Sequence, residues 1–552
     1  MRERGIHLTR ALLVEGNPLW SSVTVAQLRD IGIGSVIQAS RVKDARLLIE
    51  RERFDFIVCN REFEGASETG QDLLDELRRE RQLPHSTVFL MVTSQASYHQ
   101  VVEAAESALD GILVRPYTAA LLNKRLMAAR KRKHELAEIL QALDQGKAEL
   151  ALEHALRRFR ERLPYADYCG RLAAELLLSL GKHSEARLLF EGLAHDVDST
   201  WAKLGVARAH TAAGETLPAL RLLQAVVAAD PTSADAHDLL GRTLVEQGDF
   251  EGALRAYRQA AALTPGCLMR RQHVGTLAFY QGLGDEALPA LESALALGEQ
   301  SKLFDALSLV LIGALRHDSG DASVVSQMRQ QIEDHQTRSP ESRRLARFAG
   351  AADMLLASVR EHRAEMHAAL QLLGAQVAQD DFDLEAANIV LLLWARMPED
   401  ARSQAPYPEM IEAIAERFCV SRAITEVLIA SARRLEPAVA LVRAGHSKVS
   451  ALAEHAMDLA LNGEPGQAVR VLIEQGSALR NARLLELART IARRNQAQLE
   501  EATALIAEVA SVLALCCPSP LHLAGIQRSG RSPAALQWMT VQPRKAPLVS
   551  IA

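Results

Sequence analysis

The sequence predicts a doubly wound α/β unit with a five-stranded parallel sheet at the N-terminus, followed by an all-α solenoid. Three observations lead to this fold class. In the first 130 residues, five short apolar runs alternate with segments of helical spacing. From about residue 145, helix follows helix with an internal period. Aromatic residues make up only 4% of the 552 residues, which favours closely packed helices over β-sandwiches.

The five predicted strands are continuous apolar runs rather than alternating ones. They lie at residues 12–14, 35–37, 54–59, 88–92 and 111–114, and the predicted helices at 18–28, 44–53, 70–81, 101–109 and 118–130. Continuous apolar strands are typical of a parallel sheet that is covered on both faces. In such a sheet the functional site lies at the carboxyl ends of the strands, near the switch point of the strand order.

The residues at these strand ends resemble those of response-regulator receiver domains, over roughly residues 5–130. The positions that carry the resemblance are Glu15 and Gly16 after the first strand, Asn60 at the end of the third, Thr93 after the fourth, and Arg115-Pro116-Tyr117 after the fifth. The resemblance implies a receiver or flavodoxin-like fold. It also implies that Asn60 stands where the family carries its phosphorylated aspartate, in a pocket that holds magnesium.

The departures from the family pattern predict that this pocket is degenerate. A neutral amide is a poor nucleophile, and Gly16 has no side chain, so only Glu15 remains of three acidic positions. Magnesium prefers hard oxygen ligands, and Arg115 is not equivalent to the family's lysine. We therefore expect a receiver that is not phosphorylated and that has no metal or cofactor. The alternative is phosphorylation at an atypical acid of the next loop, which contains Glu62, Glu64 and Glu68.

A repeat of about 34 residues follows and resembles tetratricopeptide repeats. A turn glycine recurs at Gly146, Gly181, Gly214, Gly248 and Gly282, and an alanine follows each after five residues, at Ala151, Ala186, Ala219, Ala253 and Ala287. Large residues recur four positions later, at Phe190, Leu223, Tyr257 and Leu291. The glycine turns the chain between two antiparallel helices, the alanine permits their close approach, and the large residue fills the space behind it.

Solenoids of this kind usually bind a peptide or protein on their concave face. Arg171, Arg208 and Arg242 lie on the first helices of their units and are candidate groove contacts for an acidic or carboxylate-bearing partner. The alternative is that they are ordinary surface arginines. Phe279 and Tyr280 either add apolar contact in the groove or pack between helices, and we expect packing.

The division of the chain that follows is 1–130 for the receiver-like unit, 131–300 for the repeats, 301–515 for degenerate helical repeats and 516–552 for a disordered tail. The formal net charge of −5 argues against a dedicated nucleic-acid binder. Six cysteines lack disulfide or metal-ligand spacing. The sequence contains no run of 18 apolar residues and therefore predicts no membrane-spanning helix. We expect a cytoplasmic protein.

We recognise no catalytic motif and expect no enzyme activity. The function that the sequence predicts is a signalling adaptor of two-component or phosphorelay systems, with protein partners on both units. Two alternatives remain: a receiver that is still switched through an atypical acid, and a general assembly or chaperone-type scaffold.

Overall fold

The structure is a computed structural model. It describes residues 5–63, 69–79, 82–94, 110–196, 200–299, 304–375, 382–399, 407–499 and 502–517, together with positions 377 and 379. Within these ranges, no helix combines the length and apolar character needed to cross a membrane. The predicted tail lies outside the described residues beyond position 517, and the predicted segment boundaries stay predictions.

The N-terminal unit is a five-stranded parallel sheet in the order β2-β1-β3-β4-β5. Its strands are β1 (Arg10–Val14), β2 (Ser35–Ala39), β3 (Phe56–Asn60), β4 (Val88–Thr93) and β5 (Gly111–Val114). Its helices are α1 (Pro18–Asp30), α2 (Val42–Arg51), α3 (Gly70–Arg79) and α4 (Ala119–Glu135). The predicted fold class is confirmed. The helix predicted at 101–109 lies outside the described residues.

Two apolar layers explain why the strands read as continuous apolar runs. Leu12, Ile57 and Met91 belong to the buried cluster on one face of the sheet. Leu13 and Val58 belong to the cluster on the other face. Alternate residues of each strand therefore enter different cores, and neither face is left polar.

The rest of the described chain is helical. The elements are α5 (Ala137–Asp144), α6 (Ala148–Arg160), α7 (Ala166–Ser179), α8 (His183–Asp196), α9 (Thr200–Ala212), α10 (Thr216–Ala229), α11 (Ala234–Gln247), α12 (Phe250–Leu263), α13 (Leu268–Gln281), α14 (Gly284–Gly298), α15 (Leu307–Asp318), α16 (Ala322–Arg338), α17 (Arg343–Val359), α18 (Arg363–Ala375), α19 (Leu384–Trp394), α20 (Tyr407–Phe418), α21 (Arg422–Ala432), α22 (Glu436–Leu461), α23 (Pro465–Ala478), α24 (Ala482–Arg494) and α25 (Ala502–Cys516).

The predicted repeat pattern is confirmed. All five turn glycines adopt positive φ, from +72° at Gly146 to +85° at Gly282, a conformation that glycine adopts without strain. The five alanines of the pattern are fully buried, and so are the four large residues behind them. The second helix of each unit therefore approaches the first as closely as the alanine permits.

A second set of glycines, inside the first helices, was not recognised as part of the pattern. A methyl group on Gly275 of α13 would lie 2.6 Å from Leu291 Cγ, and one on Gly241 of α11 would lie 3.0 Å from the Tyr257 ring. Gly205 of α9 faces the Phe190 ring in the same way. These glycines accept the large residues of the neighbouring second helices.

The later helices lose the glycine register for a local reason. The turns after α17 and α23 contain Glu361 at φ +59° and Arg480 at φ +50°, so non-glycine residues take the positive-φ position. Turns that keep glycine, at Gly320 and Gly463, have φ +74° and +89°. Helical hairpins therefore continue in the later region, where glycine no longer recurs at a fixed spacing.

The later helices also fold back onto the repeats, which the sequence did not predict. Helix α21 packs against α11 and α13, and one apolar core extends from Leu244 to Val442. Arg396 and Arg433 of the later region lie over the Phe279 ring of α13, and Asp318 pairs with Arg396 at 2.8 Å and with Arg434 at 2.8 Å. Phe279 and Tyr280 are buried in this core, so the packing interpretation of these two residues is confirmed.

The close approach at Gly275 gives a test of the repeat packing. We expect Gly275→Ala to lower the stability by about 1–3 kcal/mol, because the new methyl group overpacks the contact with Leu291. The matched control is Gly192→Ala in α8, where a methyl group meets nothing within 4 Å. That variant should gain about 0.5–1 kcal/mol, since alanine favours the helix. Urea denaturation followed by circular dichroism measures both, and equal midpoints would contradict the packing.

Candidate functional site

The register of the sheet brings the five predicted pocket residues to one edge. Val14 pairs with Cys59, Asn60 with Val92, and Thr93 with Val114. The residues that end or follow these strands are therefore neighbours at the carboxyl edge. Glu15, Gly16, Asn60, Thr93 and Arg115 lie where the sequence predicted them, although their functional role stays a prediction.

A buried ion pair occupies the centre of this edge. The Arg115 guanidinium donates to Glu15 Oε2, and the two side chains are only 9% and 2% exposed. Glu15 Oε1 accepts the backbone N–H of Asn17 at 2.8 Å. The Arg115 guanidinium also lies over the Trp20 ring, 4.8 Å from its centroid. The carboxylate of Glu15 is thus neutralised by a cation and by a backbone donor.

Asn60 directs its donor group, rather than an oxygen, toward its acidic neighbours. Its Nδ2 donates to the backbone oxygen of Glu62 at 2.7 Å and approaches Glu15 Oε1 at 3.5 Å. Its Oδ1 is buried and has no hydrogen-bond partner among the described residues. The side chain therefore fastens the loop after β3 to the end of the strand.

The side chain of Glu62 also lies at this site, as the alternative of phosphorylation at an atypical acid requires. Thr93 Oγ1 donates to Glu62 Oε1 at 3.1 Å. The two other acids of this alternative, Glu64 and Glu68, lie outside the described residues. No periodicity marks Glu62, because its position depends on the path of the loop.

The absence of an acid at Gly16 is not imposed by lack of space. A methyl group there would lie 3.4 Å from the backbone oxygen of Ser40 and 3.5 Å from Phe63 Cδ1, which are ordinary contacts. A larger side chain directed along the same bond would extend from the strand end. The backbone is therefore compatible with a carboxylate that the sequence does not supply.

These residues do not fit a magnesium ion. Magnesium in proteins is bound through carboxylates in near-octahedral geometry. The edge offers Glu15, whose oxygens are already engaged, one amide oxygen on Asn60, and Glu62, which is held by Thr93. The guanidinium of Arg115 adds a positive charge beside this set.

The neighbouring thiol does not replace the missing nucleophile. Cys59 precedes Asn60 and is fully buried. Burial, and to a smaller extent the Glu15 carboxylate, raise the pKa of Cys59 well above its usual range. Because the thiolate is the nucleophilic form, this cysteine stays protonated and unreactive.

The three predicted groove arginines have different surroundings. Arg208 forms a bidentate pair with the buried Glu175 at 2.9 and 2.5 Å. Arg242 lies 3.5 Å from Glu246 in the same helix. Arg171 has no ion pair within hydrogen-bond distance among the described residues, and its guanidinium lies 4.7 Å from the centroid of Trp201. Burial lowers the pKa of Arg171, since desolvation disfavours its charge.

Ion pairs one repeat apart were missed by sequence reasoning. Arg270 is 1% exposed and donates to Asp238 at 2.7 Å and to Asp235 at 3.2 Å. The pair of Arg208 with Glu175 likewise joins two successive first helices. The signal in the sequence is opposite charge at a separation close to the repeat period.

Comparison with known proteins identifies the N-terminal unit. Residues 11–127 match the family model described as the response regulator receiver domain. The chemotaxis protein CheY-3 of Vibrio cholerae serotype O1 is 32% identical over 117 residues, which are 21% of this chain and 88% of that protein. The chain belongs to the response regulator receiver family. The chemotaxis protein CheY of Pseudomonas aeruginosa is 35% identical over 99 residues, 18% of this chain and 77% of that protein.

Tetratricopeptide repeats follow the receiver domain. Two family models with that description match residues 177–243 and 234–267. Among solved structures, the C-terminal part of a TPR repeat-containing protein from Cytophaga hutchinsonii matches at 13% identity and a TM-score of 0.35, covering 49% of this chain and 98% of that chain. A tetratricopeptide repeat protein from Parabacteroides merdae matches at 14% identity and a TM-score of 0.32, covering 47% and 98%.

The burial of the Glu15–Arg115 pair predicts that removing the charge of Glu15 lowers the stability more than removing the charge of the exposed Glu52. Glu15→Gln should lower the stability by about 3–5 kcal/mol, because it leaves the Arg115 guanidinium buried and uncompensated. Glu52→Gln is the control, since Glu52 and its partner Arg10 are 36% and 43% exposed, and it should change the stability by about 1 kcal/mol or less. Chemical denaturation of the two variants measures the difference. Similar losses would contradict the assignment.

Proposed function

We propose that the chain is a signalling adaptor of two-component or phosphorelay systems. In this proposal a receiver domain that does not accept phosphate is coupled to a tetratricopeptide solenoid that binds a protein partner. The receiver domain supplies a signalling module, and repeats of this class are protein-interaction modules. The proposal includes no catalytic step carried out by this chain.

One observation carries the proposal: the nucleophile position is an amide that acts as a hydrogen-bond donor. Asn60 Nδ2 donates to the backbone of Glu62, while Arg115 compensates the remaining acid, Glu15. Among the described residues at this strand end, the carboxylates that a phosphoryl group would meet are already engaged, Glu15 by Arg115 and Glu62 by Thr93. This arrangement supports a receiver domain whose surface is not changed by phosphorylation.

The contact between Thr93 and Glu62 supports a second candidate. In this alternative Glu62 is the phosphate-accepting group and Thr93 follows the phosphoryl oxygens by changing its rotamer. Against it, Glu62 has no carboxylate neighbour other than Glu15 with which to hold a cation, among the contacts that the structure describes at this edge.

The test is chemical phosphorylation of the full chain. We expect no phosphoryl adduct after incubation with magnesium and acetyl phosphate, as measured by intact-mass spectrometry. The control is the double variant Gly16→Asp, Asn60→Asp, which places carboxylates at both positions; a Cβ at position 16 makes only ordinary contacts, and Asp is close in size to Asn. The variant should acquire the adduct and bind magnesium, as measured by isothermal titration calorimetry. An adduct on the wild-type chain contradicts the proposal, and mapping it to Glu62 would identify the alternative acid.

For the solenoid, Arg171 is the residue of the predicted track that best fits partner binding. Its guanidinium is partly desolvated and lies over the Trp201 ring, and no carboxylate of the described residues forms an ion pair with it, although Glu175 and Asp235 act on its charge from a greater distance. Arg208 is already satisfied by Glu175 and serves the joint between α7 and α9. We therefore propose an acidic or carboxylate-bearing segment as the ligand of this groove.

The difference between these two arginines is measurable. Arg208→Ala should destabilise the protein by about 3–5 kcal/mol, because Glu175 stays buried without its partner. Arg171→Ala should cost about 0.5–2 kcal/mol, the range of a cation–π contact. Panning a random phage-displayed peptide library should enrich acidic peptides on the wild-type chain and lose that enrichment on Arg171→Ala. The same peptides from both proteins would exclude this groove.

A further inference from the structure

A cavity lies between the receiver domain and the first solenoid helices, at the edge opposite the phosphorylation-type pocket. Its volume is about 630 Å³, and it is partly open to solvent. The residues before β1, β3 and β4 form one wall, and α4 and α5 form the other. A single residue, Leu136, separates α4 from α5. This volume falls within the range of about 300–1,000 Å³ that is common for small-molecule sites.

The cavity is lined by apolar residues from both units and by several polar or charged ones. Phe54, Phe56 and Val88 line it from the receiver domain, and Ala137 and Leu140 line it from α5. Leu140 and the two phenylalanines are buried, so their positions are set by packing. A flat apolar molecule entering here would therefore contact both units.

One buried cation supplies a polar anchor. Lys133 lines the cavity and is 6% exposed. Its ammonium lies 2.8 Å from Asp110 Oδ2 and donates to the backbone oxygen of Thr87. An ammonium has three N–H donors, and these two partners are the ones that the described residues provide. The described contacts therefore account for two of its three donors.

We propose that this cavity binds a small, mainly apolar molecule that carries one anionic group, with Lys133 as the hydrogen-bond donor to that group. The proposed function uses the opposite end of the sheet and the solenoid groove, so this inference does not depend on it. The ligand would contact both α5 and the residues that precede β1, β3 and β4. It would therefore stabilise the position of α5 relative to the sheet.

The ionisation of Lys133 predicts how ligand affinity depends on pH. Burial lowers the pKa of Lys133 to about 8, partly offset by the Asp110 carboxylate. The ammonium is charged below that pH, so affinity for an anion should fall as the pH rises through about 8. The charged and titratable groups around it are Arg78 of α3, Asp110 before β5, Arg130, Arg132 and His134 of α4, Asp144 of α5, Tyr168 of α7, and Asp55 and His85 at the strand edge.

The experiment uses the full chain and the fluorescent probe anilinonaphthalene sulfonate, which is mainly aromatic and carries one permanent negative charge. We expect saturable binding of one dye per chain at pH 7. Ala137→Phe, which fills the cavity without removing a polar group, should weaken binding at least tenfold. Ala120→Leu is the matched control, since Ala120 is exposed at the start of α4 and does not line the cavity, and it should leave binding unchanged.

Two further variants keep the proposal open to disproof. Lys133→Met should weaken dye binding and abolish its decrease between pH 7 and pH 9, while Asp110 keeps Arg132 at 2.9 Å as a partner. Leu515→Glu alters the exposed apolar face of α25, where Leu515 is 74% exposed, and should have no effect. Binding that survives Ala137→Phe, or that is lost in Leu515→Glu, would overturn the proposal.

Discussion

The ion pair between Glu15 and Arg115 determines what the carboxyl edge of the receiver sheet can do. Both side chains are almost fully buried, so each depends on the other for compensation of its charge. Glu15 is also the acceptor for Asn17 N–H at the start of α1 and the neighbour of Asn60. Because the Glu15 carboxylate is engaged by these groups, little negative potential remains at this end of the sheet to attract a cation. The same contacts that hold the end of β1 to Arg115 and to α1 therefore neutralise the charge of Glu15.

The solenoid shows the same use of charge for architecture. Glu175 with Arg208, and Asp235 and Asp238 with Arg270, join first helices of successive repeats. Replacement of one partner leaves a buried charge, so these positions are constrained by stability rather than by a ligand. Arg171 differs because its close contact is the Trp201 ring, while Glu175 acts on it only at a distance beyond that of an ion pair. This difference is the basis of the proposal that Arg171 binds a partner.

Much of this structure follows from local sequence rules, and the parts that do not follow share one cause. The strand ends, with Asn60 and Arg115, and the turn glycines such as Gly248 are set by short-range pattern, and the sequence predicted them. The contact of Thr93 with Glu62 depends on the path of a loop, which has no periodicity. The return of α21 onto α11 depends on the accumulated curvature of many repeats. Glu361 at positive φ shows that a turn persists without its glycine, which removes the signal but not the structure.

The junction between the two units determines how a signal could pass between them. Helix α4 closes the receiver domain, and α5 begins the solenoid one residue later, so little freedom separates them. Asp110 strengthens the joint, because it binds Lys133 and Arg132 of α4 and accepts the backbone N–H of Phe89. Arg132 in turn lies over the Tyr168 ring of α7, 5.5 Å from its centroid. These contacts connect the β4–β5 side of the receiver domain to α4 and the first repeats. Under the two proposals above, a ligand or partner at this junction would bias the relative position of the two units, and phosphate at the opposite end of the sheet would not be needed.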